Sequence, residues 1–271
     1  PEDFERLPEE PGVYYFYNQE KKVVYVGKAV NIKKRVASHF SGHNVNLQRQ
    51  HFLRDIHGIS CETCATELMA LLLECSEIKK LWPVYNKALK RFDAKFGLYA
   101  YEARNGYQYL AIGKVGKFQT CVETFGSEYD AIILLQRLAE QFEIDYRFCK
   151  YGRAQEAGYF QTAMLAELPD LGTHNQKIAS AIESLAHNRP SFAIIDKGRS
   201  DGERSCVWVE EGHFYGMGYV AADLGFEQPM QLREHVTRYK SNSYLMQVIQ
   251  TFAKKYPNKI HFQNQSQFMA R

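Results

Sequence analysis

The chain has 271 residues, of which 45% are apolar and 24% are charged, a balance typical of a globular protein that excludes a disordered chain. Its longest apolar runs fall far short of the roughly 20 residues that a membrane helix needs, so we expect no membrane partner. No secretory signal pattern opens the chain, and six cysteines in a chain of this size favour reduced thiols, so a cytoplasmic location is predicted.

The net charge of +3 comes from the first third of the sequence. Residues 1–95 hold 15 Lys and Arg against 12 Asp and Glu, whereas the remainder holds 19 of each. Between Lys21 and Arg54 there are eight basic residues and no acidic one. Such an imbalance is typical of a surface that contacts phosphate groups. A solvated basic face that binds nothing has the same composition, so the charge alone leaves both interpretations open.

Residues 1–90 predict a β-hairpin, three helices and a third strand. Two runs rich in β-branched and aromatic residues flank the turn segment NQEKK, which is the pattern of a hairpin. Asn31 is a typical N-cap, and apolar residues follow it at four-residue spacing. In chain order, the predicted elements are strands at 12–17 and 22–27, helices at 31–40 and 45–56, a strand at 59–63 and a helix at 66–81.

The last of these helices carries a carboxylate in apolar surroundings. Its sequence ELMALLLECSEIKKL is apolar most of the way round, which predicts a buried helix. Thr66 is expected to cap it, Glu67 is well placed against the helix dipole, and the helix should end before Pro83. Because burying an ionised carboxylate is costly without a positive partner, Glu74 requires one nearby.

Residues 91–271 predict a second module of mixed helices and strands, joined to the first by a charged linker near residues 88–96. The Asn-Gly pair at 105–106 is a strong signal for a hairpin turn. Residues 147–172 show no clear period. The predicted elements are strands at 97–102, 107–113, 191–196 and 259–263, a hairpin at 205–220, and helices at 127–142, 175–187, 229–239 and 242–255.

Five polar side chains of the first module combine into a set that suits hydrolysis of a phosphodiester: Tyr14, Tyr25, Lys28, Arg35 and Glu74. A tyrosine beside two cations should have a lowered pKa and become useful as a base. A guanidinium fork suits a phosphate group, and a single carboxylate with water is how Mg²⁺ is commonly bound when phosphate supplies other ligands. A tyrosine pair in a hairpin is also common as plain packing, so the set alone leaves both interpretations open.

Several motifs, in this order and spacing, resemble the GIY-YIG nuclease domain in the version found in UvrC of bacterial excision repair and its relative Cho. They are GVY (12–14), YVG (25–27), NIKKRVASHF (31–40) and ELMALLLECSEIKKLWPVYN (67–86). The opening LPEEPGVYYF (7–16) and the ending IKKLWPVYN (78–86) are similar to UvrC almost word for word. The resemblance implies an α+β fold: residues 1–90 form a small GIY-YIG domain, with a three-stranded antiparallel sheet flanked by helices, and residues 91–271 a second α+β module. It also implies DNA as substrate and one divalent cation, Mg²⁺ or Mn²⁺.

Residue by residue, the resemblance implies a catalytic set made of Tyr14, Tyr25, Lys28, Arg35, Glu74 and Asn86. Within it, Glu74 is the metal ligand, and either tyrosine can serve as the general base. We assign that role to Tyr25, with Tyr14 as its hydrogen-bonding partner. Arg35 and Lys28 stabilise charge on the phosphate, and Asn86 holds the geometry. The DNA-binding residues are expected to be Lys28, Lys33, Lys34, Arg35, Lys79 and Lys80.

Residues 97–265 resemble the C-terminal part of bacterial proteins in which a DnaQ-like exonuclease is fused to a UvrC-like nuclease. DKGRSDGERSCVWVEEGHFYGMGYV (196–220) carries this likeness. Together with a chain that begins at Pro1, it implies a fragment of a longer protein with an N-terminal exonuclease domain. The relatives commonly carry a cysteine cluster where this chain has only Cys149. Because an iron–sulfur cluster needs four ligands, we expect none.

Three other groups of residues have a structural interpretation beside a functional one. His57, Cys61 and Cys64 resemble part of a zinc site but lack a fourth ligand, which favours packing. The acidic residues of DKGRSDGE (196–203) suit a glycine-rich turn as well as a metal site. Aromatic residues of the 205–220 hairpin could stack on bases, although alternating aromatics usually pack a sheet; they are Trp208, Phe214 and Tyr215.

The sequence therefore predicts a metal-dependent DNA endonuclease of excision repair that makes a single-strand nick. One alternative is a DNA-binding or docking module with a weak or idle nuclease site, attached to a proofreading-type exonuclease. The other is an enzyme that acts on RNA or on a branched nucleic acid. A buried Glu74 argues against the docking module, since pure binding gives no reason to place a carboxylate among leucines.

Overall fold

We describe the protein from a computed structural model, which defines residues 2–41, 47–87, 89–90, 94–116, 120–151, 167–187, 189–224 and 229–262. The chain folds into two compact units. The first unit comprises residues 1–91, 190–241 and 245–271, and the second comprises residues 92–189 and 242–244. This grouping cuts across the predicted division at residue 90, which stays a prediction.

The first unit begins with a three-stranded antiparallel sheet and its helices. The elements are α1 (Glu2–Glu5), β1 (Gly12–Tyr17), β2 (Val23–Ala29), α2 (Ile32–Phe40), α3 (Leu47–Arg54), β3 (Gly58–Thr63) and α4 (Glu67–Leu81). The strand order is β2-β1-β3, so β1 is central and β2 lies at an edge. This arrangement confirms the predicted three-stranded antiparallel sheet flanked by helices. Residues 42–46, within which the predicted second helix would begin, lie outside the described part.

Alternation along β1 sends its side chains to two faces of the sheet. Tyr14 and Phe16 pack with Ile32 and Val36 of α2 in one apolar cluster. Tyr14 pairs across the hairpin with Gly27, and Phe16 pairs with Tyr25. Because neighbouring residues in register lie on the same face, the two aromatic rings of Tyr14 and Tyr25 share the side that α2 covers.

Helix α4 has the predicted caps and burial. The Thr66 hydroxyl accepts a hydrogen bond from the Met69 N–H at its start, and Trp82 ends it in the left-handed conformation (φ 50°, ψ 51°). Eight of its residues are buried, namely Leu68, Met69, Ala70, Leu72, Leu73, Cys75, Ser76 and Ile78. The helix contacts β2 and β1, so it brings Glu74 to the edge strand of the sheet.

The rest of the first unit is a five-stranded antiparallel sheet of order β11-β10-β9-β8-β12. Its elements are β8 (Phe192–Lys197), β9 (Glu203–Glu210), β10 (His213–Ala221), β11 (Val236–Arg238), α7 (Ser243–Lys255) and β12 (Ile260–Phe262). The predicted 205–220 hairpin is present, and Gly212 in its turn has a positive φ of 72°. The Tyr219 hydroxyl accepts a hydrogen bond from the Ala65 N–H (3.0 Å), just before α4.

The predicted helix at 229–239 is wrong. Pro229–His235 form a 3₁₀ helix, and Val236–Arg238 form strand β11. Strand β11 pairs with residues 216–218 of β10, where Gly216 and Gly218 lack side chains and let the two backbones approach. A Cβ on Gly216 would lie 2.3 Å from the Thr237 carbonyl oxygen. A free sheet edge therefore overrides the local helical pattern.

The second unit has a four-stranded sheet of order β6-β4-β5-β7 with two helices. Its elements are β4 (Phe96–Glu102), β5 (Gln108–Lys114), β6 (Glu123–Phe125), α5 (Glu128–Gln141), β7 (Cys149–Lys150) and α6 (Leu171–His187). Its core contains Leu98, Leu110, Leu135 and Ile178. The short strands β6 and β7 were not predicted, and residues 152–166 lie outside the described part. Among the helices that the structure defines, none combines the length and apolarity needed to cross a bilayer.

Candidate active site

The two hairpin tyrosines meet on the face of the sheet that α2 covers. Their ring centroids are 6.1 Å apart, and Tyr14 is fully buried. The Tyr14 phenol favours ionisation of Tyr25, whereas the Tyr25 phenol disfavours ionisation of Tyr14. The assignment of Tyr25 as the base and of Tyr14 as its partner stays a prediction.

Two glycines create the space for this arrangement. A Cβ on Gly27 would lie 2.5 Å from the Tyr14 hydroxyl oxygen and 2.9 Å from Cε1 of Tyr25. A Cβ on Gly12 would lie 2.2 Å from the Glu62 carbonyl oxygen and 2.8 Å from Cδ1 of Ile32. Gly27 thus leaves room for the tyrosine rings, and Gly12 allows β3 and α2 to close on the start of β1.

Helix α2 supplies the cationic side of the site. Asn31 caps it by accepting a hydrogen bond from the Lys34 N–H, as predicted. Arg35 is exposed, and its charge acts on Tyr14, Tyr25 and Glu74 and lowers the pKa of each. The guanidinium is therefore near enough to both phenols and to the carboxylate for its charge to act on all three.

His39, one turn after Arg35, was not predicted as a site residue. Its Nε2 lies 2.7 Å from the Tyr14 hydroxyl, and its ring centroid lies 5.5 Å from that of Tyr25. Burial, assisted by Arg35 and Arg49, lowers the pKa of His39 to about 4, so the ring is neutral at neutral pH. The four-residue spacing from Arg35, which puts both on one helical face, is the signal that could have identified it.

Glu74 reaches the end of β2. Its Oε1 accepts a hydrogen bond from the backbone N–H of Lys28 at 3.0 Å. Burial raises the pKa of Glu74, whereas this hydrogen bond and the charges of Lys28 and Arg35 lower it. The groups that compensate the charge of Glu74 thus include the backbone N–H of Lys28. A pattern of side chains in the sequence could not have indicated this backbone donor.

The Lys28 side chain forms an ion pair with Glu67. Its Nζ lies 2.8 Å from Oε1 of Glu67, which is 68% exposed in the first turn of α4. The hydrogen bond from Lys28 lowers the pKa of Glu67. Glu67 therefore contributes more than a helix-dipole charge, since it also orients a predicted phosphate-binding residue.

The expected fall in tyrosine pKa is wrong for this structure. Burial is the largest effect on both phenols and raises the pKa of Tyr14 and of Tyr25. Arg35 opposes burial at both positions without overcoming it. The free-energy cost of removing a phenolate from water exceeds the stabilisation that the exposed Arg35 provides. Neither tyrosine therefore ionises easily enough to act as a base unless a further positive charge lies nearby.

The Asn86 side chain forms two hydrogen bonds with the backbone of the edge strand β2. Its Oδ1 accepts from the Val26 N–H (2.9 Å), and its Nδ2 donates to the Val26 carbonyl oxygen (2.8 Å). Asn86 is 8% exposed, so these are buried hydrogen bonds. They fix the β2 backbone between Tyr25 and Lys28.

The remaining predicted DNA-binding lysines lie on helix surfaces. Lys33 contacts Glu5 (3.9 Å), and Lys80 forms an i,i+3 pair with Glu77 (3.4 Å). Lys34 is exposed on α2, and Lys79 lies in the last turn of α4. Exposed pairs of this kind are weak, so they leave the cations available to a polyanion.

The other groups of interest have structural surroundings. Burial raises the pKa of both the Cys61 and Cys64 thiols, and the described residues contain no group of three His, Cys, Asp or Glu able to hold a metal. Asp196 pairs with Lys259 (2.6 Å), and Glu203 pairs with Arg199 (2.8 Å).

Two of the three hairpin aromatics are core residues. Trp208 is 0% exposed and Phe214 is 1% exposed, so packing explains both. Tyr215 is half-buried, with the guanidinium of Arg233 4.5 Å from its ring centroid. None of the three presents an open ring face of the kind that base stacking requires.

The donor set fits one hard divalent cation that keeps water and phosphate ligands. Glu74 supplies a carboxylate whose Oε1 already receives a hydrogen bond from Lys28, which leaves Oε2 for a cation. Mg²⁺ is commonly held by one or two carboxylates with several waters. Burial raises the pKa of Glu74 in spite of the charges of Lys28 and Arg35, and a bound cation would favour the ionised carboxylate.

Comparison with known proteins places the site in a recognised domain. Residues 10–87 match the family of UvrC-like GIY-YIG domains. UvrABC system protein C of Legionella pneumophila is 44% identical over 85 residues, which are 31% of this chain and 14% of that protein. UvrABC system protein C of Methanococcus maripaludis is 34% identical over 148 residues, which are 53% of this chain and 27% of that protein. The match to this chain thus spans only 14% and 27% of the length of these two relatives.

One solved structure is the crystal structure of the GIY-YIG N-terminal endonuclease domain of UvrC from Thermotoga maritima bound to its catalytic divalent cation, magnesium. It is 29% identical to this chain, covers 31% of this chain and 92% of that one, and gives a TM-score of 0.28. The family match covers the sheet, α2, α4 and every residue of the predicted catalytic set. Residues 10–87 of this chain are therefore a UvrC-like GIY-YIG domain.

Proposed function

We propose that this chain is a metal-dependent DNA endonuclease that hydrolyses one phosphodiester bond, leaving a single-strand nick, in a repair process of the excision type. The observation that carries the proposal is the convergence of Tyr14, Tyr25, Arg35 and Glu74 on one site inside a UvrC-like GIY-YIG domain. Acid–base, cationic and metal-ligating groups are the parts that phosphodiester hydrolysis needs.

Tyr25 would act as the general base. With Tyr25 as the phenolate, a water oxygen attacks phosphorus and its proton passes to the Tyr25 oxygen. The bond from phosphorus to the leaving oxygen breaks, and the leaving oxygen takes a proton from solvent. Tyr14 assists by donating to the Tyr25 oxygen, which favours loss of the Tyr25 proton. The neutral His39 ring holds the Tyr14 hydroxyl in place from its other side at 2.7 Å.

The cations would stabilise charge that develops on the phosphate. Arg35 stays protonated at any working pH and presents a planar fork to phosphate oxygens. Lys28 lies at the end of β2, where release from Glu67 would let its ammonium turn toward the substrate. Lys33, Lys34, Lys79 and Lys80 would attract the DNA backbone on either side.

Glu74 would hold one Mg²⁺ or Mn²⁺. When bound, such an ion supplies positive charge for the phosphate oxygens and lowers the pKa of nearby acidic groups. That extra charge is what the buried tyrosines lack, since Arg35 alone leaves both phenol pKa values raised.

The docking-module alternative and the attached exonuclease rest on sequence resemblance alone. No contact in the described part of the chain favours an idle site over an active one. An exonuclease domain preceding this chain stays a prediction. The expectation that the chain binds no iron–sulfur cluster also stays a prediction.

Nicking of supercoiled plasmid tests the proposal most directly. The full chain should relax plasmid in the presence of Mg²⁺ or Mn²⁺, and Glu74→Gln should lose at least about a hundredfold in rate. Gln keeps the volume and still accepts the Lys28 hydrogen bond, so its thermal midpoint should equal or exceed that of the parent. Equal nicking by the two proteins would sink the assignment of Glu74, and nicking by neither would sink the proposed activity on duplex DNA.

A further inference from the structure

Trp82 is an exposed aromatic residue at the end of the helix that carries Glu74. It is 56% exposed, in contrast to Trp208, the other tryptophan of the chain, which is 0% exposed. It occupies the left-handed position that ends α4 (φ 50°, ψ 51°), where glycine or asparagine is the usual choice. Neither core packing nor helix termination explains a tryptophan here.

The surroundings of Trp82 are positively charged. Residues 78–90 contain four lysines and no acidic residue. The ammonium of Lys90 lies 5.4 Å from the Trp82 ring centroid, and Lys80 and Lys87, which flank Trp82 in the sequence, are exposed. A protein partner could cover an apolar ring, but a ring set among lysines complements a polyanion with flat apolar groups, which is the chemistry of nucleic acid.

The ring also lies at a defined distance along α4 from the proposed site. Trp82 follows Glu74 by eight residues, which is about 12 Å of helix rise. One DNA strand advances about 3.4 Å per nucleotide along the duplex axis, so this rise corresponds to about three to four nucleotides. Asn86, four residues beyond Trp82, is tied to the β2 backbone, so the segment that carries the ring is anchored at both ends.

We propose that Trp82 stacks on a base of the bound DNA a few nucleotides from the cut, and that it thereby favours DNA with an unpaired or unstacked base at that position. In an intact duplex the base faces are covered by their neighbours, whereas an unstacked base offers a free face to an indole. Lys80, Lys87 and Lys90 hold the adjoining phosphates. This inference rests on the proposed function, since it places DNA at the same site.

Intrinsic fluorescence can test the contact because Trp82 is the exposed member of a pair of tryptophans. The full chain is titrated without divalent metal, so that no cleavage occurs, with three probes of one sequence: a paired duplex, the same duplex with a small unpaired loop, and the single strand. Binding is followed in parallel by the anisotropy of a dye on the DNA. We expect quenching of tryptophan emission that is larger for the looped and single-stranded probes than for the paired duplex.

Two variants assign the signal. Trp82→Phe keeps an aromatic ring and leaves Trp208 alone, so the quenching should vanish while anisotropy still reports binding. Trp82→Ala should bind the looped probe about 5- to 100-fold more weakly, the range for loss of one stacked base. Tyr129→Ala is the matched control, since Tyr129 is 71% exposed but lies between Glu128 and Asp130, and it should bind as the parent does.

The outcomes separate this inference from the proposed activity. Binding without quenching, quenching that persists in Trp82→Phe, or equal affinity of Trp82→Ala and the parent for the looped probe would each overturn stacking by Trp82, whether or not plasmid is nicked. Absence of DNA binding would overturn it too. Quenching that depends on Trp82, in a chain that never nicks DNA, would support the contact and overturn the endonuclease.

Discussion

The Tyr14 hydroxyl lies 2.7 Å from Nε2 of His39, a residue 25 positions later on a different element. Burial lowers the pKa of the histidine to about 4 and raises that of the tyrosine, so both partners are neutral at neutral pH. When Nε2 carries the proton, His39 donates to Tyr14, and the Tyr14 proton is free for the Tyr25 oxygen. In that tautomer the contact leaves the Tyr14 hydroxyl able to act as a donor toward Tyr25.

Acid should destabilise the folded chain through His39. Its pKa is about 4 when folded and near 6.5 when unfolded, so the unfolded state binds more protons between these values. The stability is complete above the unfolded pKa and is lost as pH falls toward the folded one, by roughly 2–3 kcal/mol after allowance for solvent.

Urea unfolding of the parent and His39→Phe across this pH range measures the effect. Other groups titrate in both proteins, so the difference between the two curves isolates His39. The variant should lose less stability on acidification, and parallel curves would contradict the burial argument.

The plasmid-nicking rate should rise with pH, by close to tenfold per unit, because Tyr25 must lose a proton and its pKa is raised. Tyr25→Phe should cost about 10²–10⁴-fold and flatten the profile, as expected for loss of the base. Tyr14→Phe removes the donor that lowers the Tyr25 pKa, so the rate should fall while the slope remains. A flat profile for Tyr14→Phe with a retained slope for Tyr25→Phe would reverse the two roles.

Gly27→Ala should abolish nicking without unfolding the chain. The new methyl would lie 2.5 Å from the Tyr14 hydroxyl oxygen, so both tyrosine rings must shift, at a cost of about 1–3 kcal/mol. Gly58→Ala is the matched control on β3, where the nearest atom to a new Cβ is 3.7 Å away. Plasmid assays and thermal unfolding of both variants check this, and parental nicking by Gly27→Ala would show that the ring positions are unimportant.

Asn86→Ala should destabilise the domain by about 2–4 kcal/mol, because it leaves the buried Val26 N–H and C=O without partners. Asn18→Ala also deletes two hydrogen bonds to backbone, from the N–H groups of Glu20 and Lys22, but in an exposed turn where water replaces them. The control should change stability by less than about 1 kcal/mol. Equal denaturant midpoints for the two variants would remove Asn86 from its proposed structural role.

Much of the first unit follows from local sequence patterns. The β-branched runs, the Asn31 and Thr66 caps and the four-residue apolar spacing predicted β1, β2, α2 and α4 nearly to the residue. These signals act within one turn of helix or one hairpin, where residue type fixes the backbone. Strand β11 was missed for the opposite reason: its three residues are a strand only because β10 offers them an edge.

The sequence by itself determined the predicted catalytic set, because the motifs that resemble the GIY-YIG domain point to Tyr14, Tyr25, Lys28, Arg35, Glu74 and Asn86 whatever the fold does with them. Only the tertiary structure decided their chemistry: the inclusion of His39, the Lys28 backbone donor for Glu74, the Glu67 partner of Lys28 and the raised phenol pKa values. The physical reason is that a pKa depends on burial and on charges brought together across 25 to 46 positions of chain, and local patterns carry neither.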